Sequence, residues 1–320
     1  MFNRLLTDNG SKIIFLIMDG LGDIRNDEFP QTALEAASCP NLDSLASRGI
    51  CGRSLPISHG ITPGSGPAHF ALFGYDPLAP ENDAGRGVVE VTGVGYELGA
   101  DDIAIRGNFA TTDGDGILTD RRAGRISHEE GARICGILSE NIREIDGVEI
   151  IVMPVKEYRF GLVLRGKGLS PDVEETDPQK TGLRPLPPVA RSKEAERTAA
   201  VIAEFVRRAE ALLADEEKAR TTLMRGISRK PVIESFEDRY GLRGAAVAAY
   251  PLYRGVARLC GMQLLDTGST PAEEFETVRS AFGEAYDFFF IHIKKTDSSG
   301  EDGDLEAKRK VIEQVDKALP

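Results

Sequence analysis

The sequence predicts an α/β fold: a mostly parallel sheet with helices on both faces, into which an α+β domain is inserted. Three observations predict it. First, Ile13–Met18 is an unbroken run of six apolar residues that ends in Asp19-Gly20. A short apolar run bounded by glycine reads as a strand buried on both faces, the kind found in parallel sheets. Second, Asp287–Asp297 repeats the design, driving an apolar strand into His292, Lys294, Lys295 and Asp297. Third, strands and helices alternate near both chain ends, while the middle carries short strands with tight turns. The sequence therefore divides into a discontinuous α/β domain, residues 1–83 and 193–320, and an inserted α+β domain at 84–192.

Composition narrows the partners. Of 320 residues, 41% are hydrophobic and 28% charged, which is globular and long enough for two domains. The 39 basic and 51 acidic residues leave a formal charge of −12. Such a chain repels polyphosphate overall, so nucleic acid and anionic membrane are excluded as partners, and a bound phosphate needs a local basic pocket. The four cysteines show no CxxC spacing and fit a reducing cytosol. No apolar stretch approaches the ~18 residues of a spanning helix. The N-terminus, MFNRLLTDNGSK, lacks the apolar core of a secretion signal.

Taken in order, Gly20–Gln31 is a polar loop after the first strand. A helix starts at Pro40, with Leu42 and Leu45 facing the core and Gly49 closing it. Ile50–Leu55 reads as a short strand. Ser58–Gly66 is a glycine-rich loop running into a helix over Pro67–Phe73. Within the insert, Ile103–Asn108, Gly116–Asp120, Glu149–Val155 and Phe160–Arg165 read as strands. Ser127–Glu140 reads as a helix capped by Ser127 with Glu130 as its partner. Gly168–Val189 is a long Pro-, Asp- and Thr-rich loop. Glu194–Arg220 is one amphipathic helix. Strands at Thr221–Met224, Ala245–Ala249, Gln263–Leu265 and Phe288–Ile293 then alternate with helices at Leu252–Cys260, Pro271–Glu284 and Leu305–Leu319.

Several residues carry possible chemistry. Asp19 ends a strand at the carboxyl edge of the sheet, where open α/β folds bind ligands. Alone it reads better as the residue that begins a turn with Gly20; with His292 and Asp297 at the same edge it suggests a metal site. Ser65, in PGSGPAH, lies at a helix start, where backbone N–H groups hold anions. It is either an N-cap or a nucleophile, and a metal is one means of activating such a hydroxyl. His69 follows on the same helix face, either a hydrogen-bonded, partly buried imidazole or a ligand or acid–base group. Asp297 and Glu301 are spaced i, i+4. They either chelate a cation around a Gly300 turn or form a solvated acidic loop. Oxygen ligands favour Mg²⁺ or Mn²⁺ over Zn²⁺. Arginines recur at Arg106, Arg121, Arg122, Arg125, Arg159, Arg225 and Arg254, a residue type that clamps phosphate and carboxylate. The P-loop-like GLVLRGK at 161–167 is rejected: Gly168 stands where Ser or Thr is needed, and the run reads as a strand.

Together these stretches resemble the archaeal-type 2,3-bisphosphoglycerate-independent phosphoglycerate mutases, a branch of the alkaline phosphatase superfamily. The resemblance rests on IIFLIMDGLGD, EAASCPNLDSLASRGICG, HGITPGSGPAHFALFGYDP, TDRRAGRI, YPLYRGVARLCGM and HIKKTDSSGEDGD. It implies an alkaline-phosphatase-like domain with two divalent metal ions, Mn²⁺ or Mg²⁺, an inserted lid, and no 2,3-bisphosphoglycerate cofactor. By position, Asp19, Ser65, Asp297 and Glu301 would be metal ligands and Ser65 also the nucleophile, passing through a phosphoserine. Arg122, Arg125, Arg225 and Arg254 would hold substrate, with His69 beside them. Two departures accompany it: Glu301 stands where the family carries His, and the family continues past Pro320 with further metal ligands. The implied activity is interconversion of 3-phosphoglycerate and 2-phosphoglycerate in the cytoplasm, with a small phosphorylated glycerate as partner. A metal-dependent phosphomonoester hydrolase and a non-catalytic phosphometabolite binder are the alternatives.

Overall fold

The apolar runs and their glycine and proline boundaries settle into two sheets. The computed structural model describes residues 7, 9–25 and 27–319. Most of the N-terminal segment weighed as a secretion signal, and Pro320, lie outside them. The chain forms two compact units, residues 1–62 with 233–320, and residues 63–232.

In the first unit, β1 (Ile13–Met18), β8 (Gly244–Ala248), β9 (Gln263–Leu265) and β10 (Phe288–Ile293) form a sheet of order β1-β10-β8-β9, every pair parallel. Alternate residues point to opposite faces. Phe289, Ile291 and Ile293 meet Phe275 and Val278 of α9 (Pro271–Ala281) and Val311 and Val315 of α11 (Leu305–Ala318). On the other face, Phe288 meets Phe236 of α7 (Phe236–Tyr240), and His292 stacks on Tyr253 of α8 (Pro251–Leu259). Helices thus cover both faces of a parallel sheet, as the sequence predicts. β10 is buried at all six positions. β1 is not. Ile13 and Ile14 are 44% and 49% exposed, because among the described residues β1 pairs only with β10 and lies at the sheet edge.

In the second unit, β2 (Ile103–Thr112), β3 (Leu118–Asp120), β4 (Glu144–Ile145), β5 (Val148–Lys156) and β6 (Arg159–Arg165) run in the order β3-β2-β6-β5-β4. β7 (Thr221–Arg229) also pairs antiparallel with β2. Ile103, Ile105 and Phe109 of β2 pack under α5 (His128–Asn141) and α6 (Glu196–Leu212). Ser127 caps α5, accepting from the Glu130 N–H at 3.2 Å. The carboxylate of Glu130 turns instead to Arg133, so the reciprocal half of the expected box is missing. The opposite face of the sheet carries α4 (Arg86–Gly93). Its approach needs bare glycine: a Cβ on Gly87 would lie 2.6 Å from the Gly226 carbonyl.

These units differ from the expected boundaries. Residues 63–83 and 193–232 belong to the second unit. β7 belongs there because its backbone hydrogen bonds go to β2, and α6 because its apolar face covers that sheet. Three local expectations also fail. Ile50–Leu55 is not a strand: Ile50 is fully exposed and no partner strand lies beside it. Leu45 is exposed on α2 (Pro40–Arg48), although Pro40 does start that helix. The acidic segment around Asp297 is α10 (Lys295–Glu301), a helix rather than a loop turning at Gly300.

Glu274 on α9 is buried beneath the sheet of the first unit. Burial pushes its carboxyl up to about 8, against the Ala249 backbone donor and Lys295, with Glu273 adding to the rise. The folded chain therefore binds a proton that the unfolded chain releases near the ordinary glutamate value of 4.5. That stabilisation is full below the unfolded value and is lost as pH rises through about 8. Glu274→Gln removes the titration. Melting curves from about pH 5 to pH 8 should show the unmodified chain losing on the order of a few kcal/mol relative to the variant. Parallel curves would contradict the assignment.

Candidate active site

Parallel pairing of β1 with β10 sets up the acidic corner of the first unit. The register matches Met18 with Ile293, and the Asp19 N–H continues it by donating to the Ile293 carbonyl at 3.0 Å. Both strands end at this level. Asp19 follows β1, and Lys294 leads into α10, whose first turn carries Asp297. Lys294 Nζ lies between the two carboxylates, 3.1 Å from Asp19 Oδ2 and in direct contact with Asp297 Oδ2. Gly20, at φ +62°, makes this possible. A Cβ there would lie 2.6 Å from Asp297 Oδ1 and 2.7 Å from its Cα.

Neighbouring groups fix the Asp19 carboxylate. Tyr253 donates its hydroxyl to Oδ2, and Thr296 donates to the Asp19 carbonyl. His292, 1% exposed, stacks on the Tyr253 ring at 3.4 Å between centroids and brings Nε2 to 3.8 Å from Asp19 Oδ2. Burial alone raises the Asp19 carboxyl; the Tyr253 hydroxyl, Lys294 and His292 outweigh it and hold it below the usual range. Burial likewise lowers the Lys294 ammonium, and Asp297, Tyr253 and Asp19 together raise it above its ordinary value. The corner thus sets two carboxylates on one lysine. In kind it fits a hard divalent ion, which prefers carboxylate oxygen. Among the described residues, however, no group of three or more His, Cys, Asp or Glu gathers as a metal site. Glu301 ends α10 one turn beyond Asp297 and is exposed. Arg254 is tied up locally, donating to the carbonyls of Ala248 and Leu265 and to Asp266.

The second unit holds Ser65, His69, Arg122, Arg125 and Arg225. Ser65 is the first residue of α3 (Ser65–Leu72), and Gly64 takes the N-cap position. The N-cap reading of Ser65 therefore fails, and its exposed hydroxyl lies at the helix start, where N–H groups point outward. His69 is 4% exposed, with Nδ1 2.7 Å from the Ser65 carbonyl. A carbonyl only accepts, so the proton sits on Nδ1 and the ring braces the backbone of Ser65.

Arg122 and Arg125 flank a tight turn. Ala123, Gly124 and Arg125 have φ of 46°, 62° and 50°, so three successive residues occupy the left-handed region. Two of them carry side chains and pay for it, the kind of strain found at functional sites. Asp120 holds the turn by accepting from the N–H of Arg122 at 2.7 Å and of Gly124 at 2.9 Å. Arg225 on β7 lies 3.4 Å from Asp177, which Arg121 engages in bidentate fashion at 2.8 and 2.6 Å. Separately, a cavity of about 540 Å³ opens on the α6 side, lined by Arg184, Pro187, Glu210 and Arg220, and takes none of the predicted site residues.

Sequence reading passes over Tyr253 and the Asp177–Arg121 brace. Tyr253 falls on the apolar stripe of α8, where a tyrosine reads as core, and Asp177 lies in a loop with no period. Only their contacts reveal them.

Comparison with known proteins follows this layout. A family model described as 2,3-bisphosphoglycerate-independent phosphoglycerate mutase matches residues 46–218. A protein of Thermosipho africanus named "Probable 2,3-bisphosphoglycerate-independent phosphoglycerate mutase" is 47% identical over 324 residues, covering 100% of this chain and 78% of that one. The solved cofactor-independent phosphoglycerate mutase from Thermoplasma acidophilum superposes with a TM-score of 0.66 at 31% identity, covering 97% of this chain and 82% of that one. A Pyrococcus horikoshii structure gives 0.78 at 27% identity, with 97% and 77% covered.

The Asp120 brace is directly testable. Asp120→Ala should lower stability by about 1 kcal/mol and speed amide exchange at Arg122 and Gly124, read by hydrogen exchange. Unchanged exchange at both would show that the turn holds itself.

Proposed function

The chain belongs to the 2,3-bisphosphoglycerate-independent phosphoglycerate mutases, and from that premise we propose that it interconverts 3-phosphoglycerate and 2-phosphoglycerate with Ser65 as phosphoryl carrier. The observation that carries this reading is the pair Asp19 and Asp297, two carboxylates from neighbouring strand ends that share one cation. In this chemistry the hydroxyl oxygen of Ser65 forms a bond to phosphorus as the bond from phosphorus to the substrate oxygen breaks. The glycerate left behind keeps its carboxylate on arginine, turns, and attacks through its other hydroxyl, and Ser65 leaves.

Asp19, Asp297 and Glu301 of the first unit would offer carboxylate oxygens to the divalent ions of the family, Mn²⁺ or Mg²⁺. When bound, such ions activate a hydroxyl nucleophile and neutralise phosphoryl charge. The chain's own groups do the rest. Tyr253 and Thr296 orient Asp19, and Lys294 sets a positive charge beside it. Imidazole Nδ1 of His69 steadies the first turn of α3 behind Ser65. Arg122, Arg125 and Arg225 are assigned to the substrate's anionic ends, and the second unit to keeping water from the phosphoserine. No described helix is long and apolar enough to cross a membrane, and the four cysteines are free thiols; we place the chain in the cytoplasm.

Ser65→Ala should lose isomerisation by roughly 1,000-fold or more while keeping the melting temperature of the parent, measured by 2-phosphoglycerate formation. Turnover that survives in the variant would end the serine assignment. Release of one inorganic phosphate per 3-phosphoglycerate consumed by the parent, with no 2-phosphoglycerate formed, would instead identify a hydrolase.

A further inference from the structure

The α4 face of the second sheet carries an unusual concentration of positive charge. Along β2, Ile103, Ile105 and Phe109 face the apolar core, so Ala104, Arg106 and Asn108 stand on the other face. Cross-strand register adds to it. Arg106 pairs with Arg225 on β7, and Asn108 pairs with Arg159 at the start of β6. Directly opposed residues share a face, and like charges so placed destabilise a sheet. Neither arginine of the β2–β7 pair escapes to water: the Arg106 and Arg225 side chains are each only 12% exposed.

Each arginine of the β2–β7 pair has an acidic neighbour. Glu90 on α4, 2% exposed, lies 3.3 Å from Arg106 Nη1. Arg225 reaches Glu175 at 3.5 Å and Asp177 at 3.4 Å, but Asp177 already accepts the fork of Arg121. The Nε of Arg106 and the Oδ1 of Asn108 are buried with no hydrogen-bond partner among the described residues, and the Nε of Arg225 has only its 3.5 Å ion pair with Glu175, which is not a hydrogen bond. Burial lowers the Arg106 guanidinium, Glu90 opposes this, and Arg159 and Arg225 lower it further. Buried charge with unused donors is costly unless a further ligand completes it. A planar oxyanion is the ligand that guanidinium forks match.

We propose that Arg106, with Arg225 and Arg159 beside it, forms an oxyanion site for the phosphate or carboxylate of a small phosphorylated acid, and that Glu90 is the resident counter-ion positioning Arg106. The site deepens the mutase reading, on which its choice of ligand rests, by assigning residues that the arginine motif around Arg122 and Arg125 does not include.

The test is calorimetric titration of the full chain with 3-phosphoglycerate, inorganic phosphate and glycerate. Arg106→Gln alone strands the Glu90 carboxylate, so the decisive variant is the double substitution Glu90→Gln with Arg106→Gln, which leaves no unpaired charge. It should keep the parent's melting temperature to within a few degrees and bind 3-phosphoglycerate at least tenfold more weakly. A loss shared with inorganic phosphate assigns the phosphate to this site; a loss shared with glycerate assigns the carboxylate. Arg106→Lys, which keeps charge but loses the fork, should fall between parent and double variant. Affinities within twofold of the parent for all three anions, or a parent that binds none of them, would overturn the site. Binding is read without turnover. A chain that binds through Arg106 but does not isomerise upholds this site and sinks the mutase reading, and isomerisation indifferent to Arg106 does the reverse.

Discussion

The parallel register of β1 against β10 is the constraint on which the first unit's chemistry depends. Met18 faces Ile293, and both strands stop there. A slip by one residue would turn every side chain of β1 to the other face and carry Asp19 away from Lys294. Gly20 completes the constraint by leaving the space that Asp297 fills. The acidic corner is thus built from backbone pairing and one missing side chain. The carboxylates are oriented before any ligand arrives, by Tyr253, Thr296 and a lysine that shows how a cation sits between them.

The second unit solves the opposite electrostatic problem. The chain as a whole is strongly acidic, at −12, so an anionic substrate must be drawn to a local exception. The fold sets Arg106 opposite Arg225 on adjacent strands and Arg122 and Arg125 about a left-handed turn, and we assign the local exception to these arginines. Buried acids on α4 and in the loop before Gln179 hold Arg106 and Arg225 in place. Ser65, at the start of α3, belongs to the same unit.

Much of this was legible in the sequence because it is written in short-range pattern. β10 reads as a buried strand and is one, and its apolar run places His292 and Asp297 correctly at its end. Pro40 and Ser127 mark helix starts by local chemistry that tertiary structure leaves alone. What failed needed long-range information. β1 has the composition of a central strand, but whether a strand has one neighbour or two is a property of the sheet. β7 looks like a return to the α/β texture, yet its hydrogen bonds go to β2, more than 100 residues back in sequence. Arg106 and Arg159 were visible only as members of a scattered set; cross-strand register singles them out. The membership in a known family was carried by motifs at turns and strand ends, which keep their spacing where the surrounding texture is ambiguous.

The account stands or falls on Asp19 and Asp297 acting as a cation-binding pair. Titration of the full chain with Mn²⁺, followed by calorimetry and by the spin resonance of free Mn²⁺, measures that property without any substrate. The account predicts micromolar binding in the parent, weakened at least tenfold in both Asp19→Asn and Asp297→Asn. Binding that is absent from the parent, or unchanged in both variants, would contradict it.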